Sequence, residues 1–356
     1  MGSAGARKGT AIGPGRKLLK ASGYNTFAAD AISKEMFLAD MGRKNDDELE
    51  ELNLDTLVDV NDATESYVVA EEFNDFMGQG DLPFCTRLTN LWDNLPEFRH
   101  PKLHGKSIYI YKPTINILGA NTQQNFAMCI PPEAVGNGFC SRFIFVHSEP
   151  TGRKITFPST PSIELKEYLI DYLRKIKARS AGAMSIDPEA IPIFDRIYKE
   201  FHGIDDHRFT HYNTRRFTHL LKLCIITAAA NSRKIINADD AINCNTVLYS
   251  AEKRMPKALG EFGKARNSAA AAAILDQLNR ARDPQSLNEL WKVVSKDLNK
   301  FTELQDIIVG LTKADKIQLV KIGRKQGYLP MHRNLESWDS QLLNLNYLTE
   351  EERGFM

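Results

Sequence analysis

Three short runs of β-branched and aromatic residues, SYVVAEEF, SIYIYKPTINILGAN and SRFIFVHSE, alternate with helical stretches over the first 158 residues. Runs this apolar and this short must lie in a sheet, with the helices between them as its cover. That alternation is the signature of an α/β fold, and it bounds what the rest of the chain can be. Two of the runs end in polar pairs: Glu71 and Glu72 after the first, Asn121 and Thr122 after the second.

The texture then changes. Residues 159–266 are helical, with IELKEYLIDYLRKI, IPIFDRIYKEF, RRFTHLLKLCIITAAA and ADDAINCNTVLYSAEKRM placing apolar residues three and four apart. The third of these is apolar nearly all round, which predicts a helix central to its bundle. Residues 267–356 form a smaller unit with a tail. AAAAAILDQLNRA, SLNELWKVVSKDL (Ser286 as N-cap) and FTELQDIIVGLTKADK predict three helices, and IQLVKI and GYLPM a β-hairpin. Three helices and a hairpin of this size outline a winged helix. The acidic stretch NDDELEELNLDTLVDVND interrupts the first region and reads as a short helix and loop with a solvated face.

The loop GSAGARKGT, residues 2–10, compares with the phosphate-binding pattern G-x-x-x-x-G-K-[ST]. Gly2 takes the first glycine, Gly5 is a further small residue, and Arg7 stands where the second glycine would be. Lys8 is the lysine, Gly9 occupies the hydroxyl position, and Thr10 follows one step later. Small residues let backbone N–H groups curl around phosphate oxygens, a lysine reaches the β- and γ-phosphates, and a helix N-terminus stands behind. On this reading Thr10 and Glu71 hold Mg²⁺, and Glu72 polarises the attacking water. Asn121 senses the γ-phosphate, and Arg142 reaches a neighbouring subunit's nucleotide as an arginine finger. Arg215 and Arg216 open a lid helix where a second sensor arginine belongs, and Arg216 is assigned to the nucleotide. Each signal has a plainer counterpart: a flexible glycine-rich terminus, a solvated turn, a turn-forming Asn with a capping Thr, a surface ion pair.

The order of these pieces follows that of ring-forming ATPases. The stretches GSAGARKGTAIGPGRKLL, FAADAISKEMFL, VVAEEFNDF, LTNLWDN, INILGANTQQNF and AVGNGFCSRFIFV resemble the primase-associated P-loop ATPases of phages and prophages, which are similar to AAA+ and RecA-like helicase motors. The resemblance covers most of residues 1 to 147. It implies binding and hydrolysis of ATP with Mg²⁺ in a homo-oligomeric ring that serves DNA replication. It further implies a primase domain or protein as partner; the reduced cysteines and a start too basic and glycine-rich for a signal peptide point to the cytoplasm of a bacterial host or virus-infected cell. By that match Lys8 is the P-loop lysine, Glu71 and Glu72 are the Walker B acids and Arg142 is the finger. Arg7, Gly9 and the glutamate at position 71 depart from the usual motif. Members of the family also carry a strand ahead of the loop, central in the sheet. With the loop beginning at Gly2, that slot and its neighbours' backbone groups are expected to lack a partner. The sequence is accordingly read as a truncated reading frame or fragment.

A formal net charge of +1 excludes a molecule-wide attraction to nucleic acid, so DNA must meet a local patch. Lys313, Lys316, Arg324 and Lys325, around the hairpin, are the candidates, with a packing module carrying solvated lysines as the counterpart. Five cysteines without a CxxC pair read as reduced, mostly buried thiols. No apolar run reaches membrane-spanning length. HGIDDHRFTHY has metal-like composition but reads as a helix end and polar loop. Two functions from different classes follow: an ATP-driven helicase or loader, and a non-hydrolysing winged-helix initiator or accessory protein with a vestigial loop.

Overall fold

The computed structural model describes residues 1–3, 5–29, 32–51, 63–78, 80–93, 95–101, 107–136, 138–150, 152, 155–157, 161–260, 266–281, 283–296, 298, 300–313, 316–322, 325–331 and 340–349. The chain forms two compact units, residues 1–259 with 338–356, and residues 260–337.

The first unit is mixed α/β. Its first half runs α1 (Lys8–Ala21), α2 (Lys34–Glu51), β1 (Glu65–Ala70), α3 (Phe73–Met77), α4 (Leu82–Trp92), β2 (Glu97–His100), β3 (Ile108–Tyr111), β4 (Thr114–Gly119), α5 (Gln123–Cys129) and α6 (Glu133–Gly136). The run SIYIYKPTINILGAN makes two strands, because Lys112 takes φ 40° and Pro113 follows it. That kink turns β3 back to pair antiparallel with β2, while β4 pairs parallel with β1, Glu65 opposite Thr114. The acidic stretch starts inside α2, and its remainder, residues 52–62, lies outside the described residues.

Further parallel segments extend this pair on both sides. Phe27 bridges Tyr67 of β1, with Tyr67 N donating to Thr26 O and Ala28 N to Tyr67 O, both at 2.9 Å. Past β4, Gly2 N donates to Asn121 O at 3.2 Å. Met1 N donates to Val146 O at 2.7 Å and Ser148 N to Met1 O at 3.0 Å, the bonding pattern of a parallel pair. The spatial order is therefore Phe27, β1, β4, Met1–Gly2, and the extended residues 143–148. SRFIFVHSE, expected as a β-run, forms no assigned strand: Ser141 and Arg142 close a 3₁₀ turn, and only the residues after them run alongside Met1.

Helices are fixed to this sheet by apolar contacts. Ile12 of α1 packs on Val69 and Ala120, at the carboxyl ends of β1 and β4. Burying such a side chain contributes about 1.5–3 kcal/mol. Phe37, Phe76 and Phe84 meet edge-on or tilted, and Phe73 stacks on Phe126 at 6.0 Å. Asp81 and Thr122 cap α4 and α5 by accepting from Phe84 N and Asn125 N.

The second half of this unit is helical: α7 (Ile163–Ser180), β5 (Ser185–Ile186), α8 (Ile191–Glu200), α9 (Thr210–Ala230), β6 (Ile235–Ile236), α10 (Ala238–Glu252) and α11 (Met255–Ala258). Leu220, Cys224 and Ala228 of α9 pack with Phe194, Ile197, Cys244 and Leu248. Its near all-round apolarity predicts that α9 is central to its bundle; α8 and α10 pack against one side of it, while Ile225 and Ile226 stay exposed. Leu342 joins the same core, and Asn344 N donates to Thr246 Oγ1 at 2.9 Å. The tail after residue 338 therefore belongs with this unit.

The second unit holds α12 (Arg266–Arg280), α13 (Leu287–Val294), α14 (Phe301–Lys313) and an antiparallel hairpin, β7 (Ile317–Ile322) with β8 (Lys325–Pro330). Ile274, Leu278, Leu290, Val294, Leu304 and Ile308 form its core. Ser286 caps α13 in a reciprocal box with Glu289, as its position in the sequence predicts. Gln285 and Tyr328 exchange two backbone bonds, 3.0 and 2.8 Å, adding a one-residue third strand to the hairpin. Gly327 permits that approach, since a Cβ there would lie 2.6 Å from Gln285 O.

All five cysteines are buried and unpaired. Among the described residues no helix is long and apolar enough to cross a membrane.

Candidate functional site

Gly2 and Ser3 stand at the carboxyl end of the parallel segments, and Gly5 to Arg7 feed directly into α1. The start of the loop is immobilised by the bonds of Met1 and Gly2 to both neighbouring segments, so the loop is tethered where the sequence predicts a free end. Gly2 is pressed against the 143–148 segment: a Cβ there would stand 2.5 Å from Ser148 O. Gly5 at φ 84° and Arg7 at φ 53° curl the loop through left-handed conformations. Lys8, the first residue of α1, folds its ammonium back across the loop, donating to Gly2 O at 3.0 Å and Ser3 O at 2.9 Å.

Glu71 follows β1 directly, and its carboxylate faces the first turn of α1. An ideal Cβ on Gly9 would lie 2.9 Å from Glu71 Oε2. Two departures from the usual motif thus explain one another. The missing side chain at position 9 leaves room that the longer glutamate reaches into, putting a carboxylate oxygen where a hydroxyl would otherwise project. Thr10 is exposed in the same turn. Glu72 is exposed at the start of α3, whose Phe73 N donates to Ala120 O at 2.8 Å and so ties the β1 and β4 ends together.

Among the described residues no group of three or more His, Cys, Asp or Glu could hold a metal by itself. Magnesium in nucleotide sites asks less, taking one or two protein oxygens beside phosphate and water. Glu71 and Thr10 match that donor set.

Three assigned residues do not join this locus. Asn121 lends it only its backbone: the residue is 1% exposed, its Oδ1 accepts from Thr122 N at 2.9 Å, and its Nδ2 points at Cys129 Sγ. Its side chain is a turn element and not a sensor in this conformation. Arg216 is 2% exposed, donating to Glu252 Oε1 at 2.7 Å and Asn245 Oδ1 at 2.8 Å, with its guanidinium 4.3 Å over Phe201. An arginine so committed holds the helical half together and cannot reach a nucleotide. Arg142 donates through Nε to Asp93 Oδ1 at 3.0 Å and through Nη1 to Gly138 O at 2.8 Å, with Nη2 also on Asp93; its side chain is 8% exposed. A finger must project to a neighbour, and this one is folded onto its own chain.

Arg142 belongs instead to a second cluster that the motif reading missed. Asp93 also pairs with Arg215 Nη1 at 3.6 Å, and Lys222 Nζ sits 3.3 Å from the centroid of Trp92. Desolvation holds the Lys222 ammonium below its ordinary range, against the pull of Asp93. His219 is buried beside Trp92, with Nε2 2.9 Å from Ser141 O. A carbonyl only accepts, so Nε2 carries the proton, and burial pushes this imidazole down to about 4. The LWD triplet inside LTNLWDN was the available signal, since an exposed carboxylate next to Trp invites cations.

In the second unit Lys316 is half-buried after α14. Arg324 and the side chains of Lys313 and Lys325 lie outside the described residues.

No family model matches the chain, and no curated protein matches it.

Proposed function

We propose that the chain binds ATP with Mg²⁺ at the Gly2–Thr10 loop and hydrolyses it, working as a helicase- or loader-type motor on DNA in phage or mobile-element replication. The carrying observation is the convergence of Lys8, Gly9 and Glu71 on one loop at the carboxyl ends of parallel segments. Ligands of open α/β sheets bind at such ends, where the chain order reverses. Loop amides and the Lys8 ammonium supply positive charge for a triphosphate, at the N-terminus of α1. Glu71 and Thr10 are the oxygens for magnesium, which neutralises charge developing on the transferred phosphoryl group. In this reading Glu72, which is exposed and makes no capping bond, takes a proton from water. An arginine finger role for Arg142 requires its release from Asp93, which ring assembly would have to supply. DNA is assigned to the second unit, whose three helices and hairpin support a winged-helix reading.

The test is phosphate release with and without DNA, in the full chain and in Lys8→Ala. DNA-stimulated release that falls by orders of magnitude in the variant is expected; equal rates in the two would end the proposal. The commitment of Asn121 and Arg142 elsewhere favours a second reading, a non-hydrolysing DNA-binding replication protein. Salt-dependent DNA binding indifferent to ATP would select it.

A further inference from the structure

Three cations of the first unit, Arg142, Arg215 and Lys222, gather around one carboxylate, that of Asp93. Asp93 accepts from Nε and Nη2 of Arg142, and Arg215 Nη1 lies 3.6 Å from the same group. Among the described residues Lys222 has no carboxylate at ion-pair distance. An ammonium carries three N–H donors. This one meets the Trp92 ring, 3.3 Å from its centroid, and Trp92 O at a long 3.4 Å. A ring face and one weak bond offset the loss of water around a half-buried charge only in part. Desolvation outweighs the pull of Asp93 on this group for the same reason.

Lys222 borders a cavity of about 280 Å³ enclosed by α4, β4, residues 139–144 and α9. Its walls are mostly apolar, Leu88, Phe139, Phe143 and Leu223 among them. The charged side chains that line it, Arg142 and Lys222, are both cationic, and among the described residues no acidic side chain faces it. His219, also in the wall, is neutral, and the proton on its Nε2 is committed to Ser141 O. An apolar wall selects an apolar body, and a desolvated ammonium lacking a counter-ion selects an anion. Dry apolar cavities of about 150 Å³ accept a benzene ring, so one of this size takes a chain of about eight carbons. The charge of the ligand follows from the donors on offer. A phosphate dianion needs several, and those of Arg142 are held by Asp93 and Gly138 O. A single ammonium matches a single negative charge.

We propose that this cavity is a binding site for a small apolar carboxylate, with Lys222 holding the carboxylate beside Trp92 and the Leu88, Phe139, Phe143 and Leu223 walls enclosing its body. The site shares no residue with the Gly2–Thr10 loop or with Glu71, so it stands apart from the nucleotide reading.

The experiment titrates the full chain, without nucleotide, with octanoate and with its neutral counterpart octanamide. Calorimetry is expected to show octanoate binding about tenfold or more tighter than octanamide. In Lys222→Met the two should bind within about twofold of each other, the retained octanamide binding showing that the cavity is intact. The surface variant Lys292→Met should keep the preference of the unmodified chain. Octanoate, but not octanamide, should also shield Lys222 from acetylation by acetic anhydride, read by peptide mass spectrometry. Octanoate binding no tighter than octanamide, a preference that survives Lys222→Met or is lost equally in Lys292→Met, or an unshielded Lys222 would each overturn the proposal.

Discussion

Gly2 and Gly9 flank the same loop, yet replacing each by alanine is expected to move stability in opposite directions. At Gly2 the new Cβ meets Ser148 O at 2.5 Å, a backbone atom of a residue whose own N–H is bonded to Met1 O, and not the free end of a flexible side chain. The loop must yield, and with it go Gly2 N to Asn121 O and Lys8 Nζ to Gly2 O. A neutral bond of about 1 kcal/mol and a charge-assisted one of about 1.5 kcal/mol put the loss near 2–3 kcal/mol. At Gly9 the Cβ meets Glu71 Oε2 at 2.9 Å, the far end of a flexible side chain, which swings aside. Alanine in a helix is favoured over glycine by up to about 1 kcal/mol, so Gly9→Ala is neutral or stabilising. Urea denaturation followed by circular dichroism separates the two, since a gap of about 3 kcal/mol moves the midpoint visibly. Equal shifts, or a Gly2→Ala cost below about 0.5 kcal/mol, would refute the packing of the loop against residues 146–148.

Other expectations follow from the buried groups. Arg216→Met should cost about 3–5 kcal/mol, because it strands Glu252, while Arg215→Met at the partly exposed pair should cost less than about 1 kcal/mol. Thermal melts check this, and a stable Arg216→Met chain would contradict a structural role for that arginine. His219 is neutral in the fold with its pKa near 4, against 6.5 unfolded, so the unfolded chain binds more protons between those values. Stability should therefore rise from pH 4 to 6.5 and level off above, by about 3 kcal/mol in all. His219→Gln should flatten that part of the profile in a pH series of urea midpoints; an unchanged slope would assign the effect elsewhere.

Local patterns carried much of the architecture. The alternation of β-branched runs gave β1 and β4, the Ser286 box gave the start of α13, and three helices with a hairpin gave the second unit. Within the candidate site, the position of Lys8 at the start of α1 and of Glu71 just after β1 was legible, because motif spacing encodes a loop and a strand end. What spacing does not encode is where a side chain turns. Asn121 folds back to its own N-cap turn, Arg216 finds Glu252 thirty-six residues on, and Arg142 finds Asp93 forty-nine residues back. Those partners are set by tertiary contacts, and a buried guanidinium goes to whichever carboxylate the fold delivers. The complementarity of Gly9 and Glu71 was likewise invisible in sequence, where each looked like a defect.

Calorimetric titration of the full chain with ATP, with and without Mg²⁺, tests the central assignment most directly. The account predicts magnesium-dependent binding that weakens by about tenfold or more in Lys8→Ala, and loses its magnesium dependence in Glu71→Gln. Unchanged affinity in Lys8→Ala would contradict it.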